Sequence, residues 1–245
     1  GYKTYPKNKT TDGKGRGVLI AVKEELKHLT TIVQEHEKPA EQIWIRISNG
    51  RNNIRIGVVY APQESKNNLE EFRKMYQQIE EQIQESKLNK QQLMITGDFN
   101  CKVGKQIDGN KNEVSKAGRL LLKTIKDFDL QMLNSTEMCK GLWTREEKGK
   151  KSILDYVLVN RESAEAVKSM LIDEERQITP FWGTGSERIY TDHNTIIVEI
   201  NWTIPSKKPT KETTTMSQQH CHENSHKKLG KDSRQGSKPT TLGLT

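Results

Sequence analysis

The chain has 245 residues, 32% of them hydrophobic, with a mean hydropathy of −0.85 and a net charge of +8. That length accommodates one large domain or two small ones, and no apolar run approaches the ~18 residues that a membrane span needs. Cys101, Cys139 and Cys221 are too few for a disulfide framework and odd in number, which points to free thiols in a reducing compartment.

The charge is unevenly placed. Residues 204–245 hold eight Lys/Arg against three Asp/Glu, so +5 of the +8 lies there and residues 1–203 carry only +3. A pI near 9.2 therefore reflects a polar tail and does not by itself mark a basic binding face. The tail lacks apolar periodicity and is expected to be disordered. Its run His220-Cys221-His222-Glu223-Asn224-Ser225-His226 reads as adventitious metal binding, because no second ligand pair at structural spacing follows.

Residues 1–14 are polar, with no apolar signal-peptide core. The absence of an initiator Met is what a fragment would show. Gly13, Gly15 and Gly17 alternate with Lys14 and Arg16, but the Lys-Ser/Thr ending of a P-loop is missing, so they read as a flexible lead-in. The folded domain is placed at residues 15–203. Residues 17–22 are apolar throughout and predict a central strand. Residues 43–47 alternate with period two and predict a half-buried strand. Asn49-Gly50 signals a hairpin turn, and residues 54–60 return, stopped by Pro62. Tyr60 thus ends a strand, as an aromatic rim residue or as a phenol donating to a ligand.

Asn68 is placed to cap a helix running to about residue 86. Leu69, Phe72, Tyr76, Ile79 and Ile83 form its inward stripe. Residues 93–96 give the next strand, ending at Gly97-Asp98-Phe99-Asn100. A carboxylate and an amide two residues apart can hold a hard cation or orient a water, or can simply bond their own backbone in a tight turn. Residues 115–128 read as a second helix and 130–133 as a short strand. Leu142-Trp143-Thr144 precedes a Lys-rich loop. Residues 153–159 form a strongly apolar strand with one carboxylate inside it, Asp155. A lone buried Asp needs a cationic or hydrogen-bonding neighbour such as a His. Residues 163–170 read as a short helix, Phe181-Trp182-Gly183 as an aromatic turn, and Asp192-His193 as the head of a last strand over residues 195–202.

Tyr60, Asp98, Asn100, Asp155, Asp192 and His193 all fall at or near strand ends, where an α/β domain assembles a site. The chemistry this set suits is hydrolysis at phosphorus: carboxylate and amide for the attacking water, a second carboxylate for Mg²⁺, and a His, oriented by an Asp, for phosphate charge. No nucleophile elbow or dinucleotide fingerprint is present.

Val59-Tyr60-Ala61-Pro62, Gly97-Asp98-Phe99-Asn100, Trp143-Thr144, Ser152-Ile153-Leu154-Asp155-Tyr156 and Thr191-Asp192-His193-Asn194 occur together and in order. On these segments the chain resembles the endonuclease/exonuclease/phosphatase superfamily. Within it, the chain looks most like the endonuclease domain of LINE-type (non-LTR) retrotransposons and the craniofacial development protein 2-like group. The resemblance implies a four-layer α/β sandwich, two mainly antiparallel sheets flanked by helices. It implies a Mg²⁺- or Mn²⁺-dependent phosphodiesterase that nicks DNA inside the cell, in nucleus or cytoplasm. In a full-length element, a reverse transcriptase module follows. Catalytic roles fall to Tyr60, Asp98, Asn100, Asp155 and His193, metal-ligand roles to Asp98, Asn100 and Asp192, and a DNA-groove contact to Thr144. The chain also departs from the pattern. Residues 1–14 contain no Glu, so the family's first strands and metal-binding Glu are expected to be absent, roughly 40–50 residues at ordinary element lengths. Thr191 stands where Ser is usual and Ile153 where Arg is frequent. The alternative expectation is an inactive, truncated remnant that at most binds.

Overall fold

The computed structural model describes residues 1–8, 17–36, 41–50, 52–65, 67–104, 114–179, 181–182, 189–202 and 242–244. The glycines at 13 and 15, and the tail apart from residues 242–244, lie outside these. β1 (Tyr2–Asn8) and β2 (Gly17–Lys23) form an antiparallel hairpin. In β2, Val18, Ile20 and Val22 are buried while Leu19 is 51% exposed. The apolar run expected to be central is therefore a hairpin strand with one covered face, a difference that an unbroken apolar run cannot encode.

A 3₁₀ turn (Glu24–Leu29) leads into β3 (Thr30–His36), followed by β4 (Glu41–Ser48) and β5 (Asn53–Tyr60). Then come α1 (Leu69–Leu88), β6 (Gln92–Asp98), α2 (Lys116–Asp127) and β7 (Gln131–Met132). Three short strands follow, β8 (Cys139–Lys140), β9 (Arg145–Glu147) and β10 (Lys150–Ser152), before β11 (Asp155–Val159). The chain continues with α3 (Arg161–Ala164), β12 (Val167–Ile172), β13 (Phe181–Trp182), β14 (Ile189–Tyr190), β15 (Ile196–Ile200) and β16 (Leu242–Leu244).

β3-β4-β5-β6-β11-β7 make a six-stranded mixed sheet and β16-β15-β12-β8 a four-stranded one; β1–β2, β9–β10 and β13–β14 are separate hairpins. The period-two alternation of the large sheet feeds two cores. On one face Leu93, Ile95, Tyr156 and Leu158 meet Phe72, Met75, Ile79 and Ile83 of α1 and Leu121 of α2. On the other, Ile43, Ile45, Ile54, Ile56, Val157 and Val159 meet β2 and the inner residues of β12 and β15. Ser115, expected as the first residue of this helix, instead caps α2 through the Gly118 N–H at 3.0 Å.

Two expectations need correcting. Residues 163–170 are not one helix. Asn160 caps the single turn of α3 through the Ser163 N–H at 3.1 Å, and the chain then enters β12, whose Val167, Met170 and Ile172 are buried against β15. Sheet pairing and burial override local propensity there. Phe181-Trp182, read as a turn, is β13 paired with β14. From the tail, Leu242–Leu244 lies along the edge of β15.

β5 and β6 run parallel with Val59 opposite Gly97. Gly97 has φ +133°, and a Cβ there would stand 2.0 Å from the Val59 carbonyl oxygen. Gly97→Ala is therefore expected to destabilise the domain by about 3 kcal/mol or more, read as a lowered denaturant midpoint. A wild-type midpoint would contradict this account of the β5–β6 contact.

Candidate active site

The sheet register brings three side chains into a row. Tyr60 is opposite Asp98 across the parallel pair, and Asp155 is opposite Asp98 across the antiparallel one. Asp98 shares the parity of Met94, and Asp155 that of Val157 and Val159, so both carboxylates sit on the inter-sheet face. Tyr60 packs against the same core.

The turn after β6 is held tightly. Ala61 N–H donates to the Asp98 carbonyl at 2.7 Å and Phe99 N–H to the Leu154 carbonyl at 2.9 Å. Phe99 is fully buried beside Tyr156. Asn100 adopts φ +45°, a conformation Asn tolerates. Its N–H donates to Asp98 Oδ1 at 2.8 Å and its Nδ2 to the Ala61 carbonyl at 2.8 Å, which turns Oδ1 away from Ala61.

His193 reaches the row from the loop before β15. Its Nδ1 is 2.9 Å and 3.0 Å from the two Asp155 oxygens, and its Nε2 is 3.8 Å from Asp98 Oδ2. A carboxylate only accepts, so Nδ1 carries the proton and Nε2 is presented toward Asp98. This is the partner that the apolar strand around Asp155 required. The loop is fixed by backbone. Residues Arg145 and His193 form an antiparallel bridge, Glu146 N–H donates to the Asp192 carbonyl at 2.7 Å, and Asn194 N–H to the Thr144 carbonyl at 2.7 Å.

Thr144 was expected to line a groove, but it is fully buried. Its Oγ1 accepts the N–H groups of Leu154 and Asp155 at 3.0 Å and 3.1 Å. It therefore ties the His193 loop to the start of β11 and positions Asp155. Asp192 stands one residue from His193, yet its Oδ2 accepts from Arg145 Nε at 2.8 Å, and Arg145 Nη2 also donates to Glu147 at 2.6 Å. Sequence reasoning missed several of these residues. Arg145 and Glu147 were hidden in a charged loop. Asn194 is buried, its Nδ2 donating to the Trp143 carbonyl at 2.8 Å. Asn134 holds β11 through the Asp155 carbonyl and the Val157 N–H. Only Asn194 had a signal, its place beside Asp192-His193.

Burial, and then the neighbouring Asp155 charge, push Asp98 up to about 6. Burial alone would lower His193, but the Asp155 hydrogen bond and charge outweigh it and its pKa is raised. Burial opposes ionisation of Asp192 too, yet the Arg145 hydrogen bond and the His193 charge hold its carboxyl below the usual range. Among the described residues, no group of three or more His, Cys, Asp or Glu side chains stands together to hold a metal. Mg²⁺ is commonly held by only one or two carboxylates plus water. The raised pKa of Asp98 comes first from burial and second from the Asp155 charge, so a cation beside its carboxylate would relieve the second of these.

The sequence matches the endonuclease-reverse transcriptase family over residues 54–197. Comparison with curated proteins gives no match. Among solved structures, the chain resembles the endonuclease domain of TRAS1, a telomere-specific non-LTR retrotransposon, at 18% identity over 81% of this chain and 78% of that one, with a TM-score of 0.56. It also resembles a 3′–5′ exonuclease from Neisseria meningitidis, at 18% identity over 82% and 80%, with a TM-score of 0.59. A mannosyl-6-phosphatase from Bacteroides thetaiotaomicron matches at 14% identity over 82% and 78%, with a TM-score of 0.54. At these identities the likeness is one of fold. No helix among the described residues is long and apolar enough to cross a membrane.

The raised Asp98 pKa has a consequence for stability. Between the ordinary value of 3.8 and about 6 the folded state takes up a proton that the unfolded state does not. Stability therefore falls as pH rises through that window, and the full cost is present at neutral pH. Asp98→Asn removes the charge and keeps an oxygen for the Asn100 N–H. It is expected to stabilise the protein by on the order of 2 kcal/mol at pH 7 in EDTA, with the gain vanishing toward pH 4. Thermal melts across that range check it, and a variant less stable at pH 7 would contradict it.

Proposed function

The chain belongs to the endonuclease-reverse transcriptase family, within the endonuclease/exonuclease/phosphatase superfamily, and from this premise we propose that it hydrolyses phosphodiester bonds in DNA, nicking one strand as a LINE-type endonuclease would. The observation that carries this reading is the Asp155–His193 pair, 2.9 Å across, with His193 Nε2 3.8 Å from Asp98. It supports the reading because a group able to donate a proton then stands beside one able to accept it, the carboxylates at strand ends and the imidazole on the loop before β15.

Each side chain has a role in the reaction. The oxygen of a water molecule forms the new bond to phosphorus, and the bond from phosphorus to the leaving sugar oxygen breaks, that oxygen taking a proton from solvent. Asp98, ionised above about 6, accepts the proton of that water, and Asn100 Oδ1 orients it. His193 in its protonated form donates from Nε2 to a phosphate oxygen, with Asp155 fixing its ring. Tyr60 donates to a second phosphate oxygen. Mg²⁺ or Mn²⁺, when bound, would supply Lewis-acid stabilisation of the charge on oxygen, and Asp98, Asn100 and Asp192 are the residues of this chain that would hold it. DNA as substrate implies a nuclear or cytoplasmic site of action, and in a full-length element a reverse transcriptase module as partner.

A second reading is a domain that binds DNA without cutting it. It is favoured by the lack, among the described residues, of any three-membered group of candidate ligands. One assay separates the two readings: nicking of supercoiled plasmid in Mg²⁺ and in EDTA, with Asp98→Ala and His193→Ala alongside. The expected outcome is nicking that EDTA abolishes and that each substitution lowers by about 10²–10⁴-fold. Nicking that survives EDTA or Asp98→Ala would refute the assignment. Retained DNA binding with no nicking would establish the second reading.

A further inference from the structure

Arg145 is not absorbed by the mechanism above, yet it stands within it. Its backbone bridges to His193, and bridged residues on antiparallel segments send their side chains to the same face, with Cβ atoms roughly 4.5–5.5 Å apart. Its positive charge is felt at Asp98, where it lowers the carboxyl pKa against the larger effect of burial. Among the described residues, the guanidinium is anchored by two carboxylates near solvent. Nε is 2.8 Å from Asp192 Oδ2, and Nη2 is 2.6 Å from Glu147 Oε2, with those side chains 48% and 50% exposed. Ion pairs this exposed are worth about 0–1 kcal/mol each. A phosphate offers the same fork two strongly accepting oxygens.

We propose that Arg145 is a substrate-positioning residue that takes the backbone phosphate next to the reacting one, exchanging its Glu147 and Asp192 carboxylates for that phosphate. This rests on the phosphodiesterase reading of the Asp98–His193 site. It narrows the substrate class to polynucleotides, because a phosphomonoester has no second phosphate to offer. No bond is made or broken in the exchange. The two carboxylates keep the guanidinium aligned beside His193 and compete with the incoming phosphate. Glu147 is therefore a brake on binding.

The test uses the full chain and fluorescein-labelled duplex DNA in EDTA, so that no turnover is needed, with dissociation constants measured across a series of salt concentrations. Arg145→Ala is expected to weaken binding roughly tenfold or more and to reduce the slope of log affinity against log salt by about one. Arg145→Lys, which keeps the charge and loses the fork, is expected to fall between. Glu147→Gln is expected to tighten binding by up to about fivefold, the value of one exposed ion pair. If Arg145 merely holds β9 in place, Glu147→Gln should weaken binding as Arg145→Ala does, and that result would overturn the proposal. So would a wild-type salt slope in Arg145→Ala, or no measurable binding by the wild-type protein. A protein that fails to nick plasmid but shows these binding shifts would sink the catalytic reading and keep only the contact of Arg145 with a backbone phosphate. A protein that nicks while Arg145→Ala binds like wild type would do the reverse.

Discussion

β6 lies between a parallel neighbour and an antiparallel one, and a slip of one residue against either would send Asp98 to the opposite face of the sheet. Its register with β5 and β11 is what sets Tyr60, Asp98 and Asp155 side by side. Several contacts fix that register. Gly97 allows an approach to Val59 that no Cβ would permit. Phe99, fully buried, fills the core beneath the turn. The backbone bonds from Ala61 to Asp98 and from Phe99 to Leu154 then close the strand ends onto both neighbours. The site is therefore built on elements that already have to be correct for the core to close, and the loops only have to bring His193 to it.

The loops reach it largely by hydrogen bonding. Thr144 takes two N–H groups from the start of β11 and gives its carbonyl to Asn194. Glu174 accepts from the Trp143 N–H at 2.9 Å and also from the Leu142 N–H. Asp173 accepts from Gln177, Ile178 and Thr179, and Thr179 Oγ1 accepts from Thr195 N–H at 3.1 Å. Such bonds are directional where apolar contact is not. That suits a histidine whose ring nitrogens must be told apart. The cost falls on Asp98: burial and, after it, the Asp155 charge oppose its ionisation, and the imidazole and Arg145 relieve only part of this.

The parts of this arrangement that could be read from sequence were those with a local pattern. Period-two alternation placed β4, and the Asn49-Gly50 turn signal with the stop at Pro62 placed β5. The three-and-four spacing of Phe72, Tyr76, Ile79 and Ile83 placed α1. The motifs at residues 97–100 and 191–194 marked two of the site's corners, and the solitary Asp155 called for a partner that His193 supplies. What could not be read depends on pairing at a distance. β3 is an edge strand of Thr, Gln and Glu with little alternation. β12 looked helical until β15 was laid against it. Thr144 was given a groove contact by the resemblance, and nothing local says that its hydroxyl meets two N–H groups ten and eleven residues on. Arg145 follows the Trp143-Thr144 pair but merges on its other side into the charged run Glu146-Glu147-Lys148, which hid it.

The turn at residues 97–100 shows why a structural and a functional reading of one motif need not compete. An Asp followed two residues later by Asn can be a self-bonded turn or half of a catalytic site, and sequence alone leaves both open. In the folded chain the two oxygens of Asp98 divide these tasks. Oδ1 accepts the Asn100 N–H at 2.8 Å and closes the turn, while Oδ2 faces His193 Nε2 at 3.8 Å. The first bond fixes the carboxylate plane and so aims the second oxygen. A Glu would carry the same charge on a longer stem, without that short ring to its own backbone. An Asn would keep the ring and lose the charge. Only Asp at this position gives both the closed turn and an aimed negative oxygen.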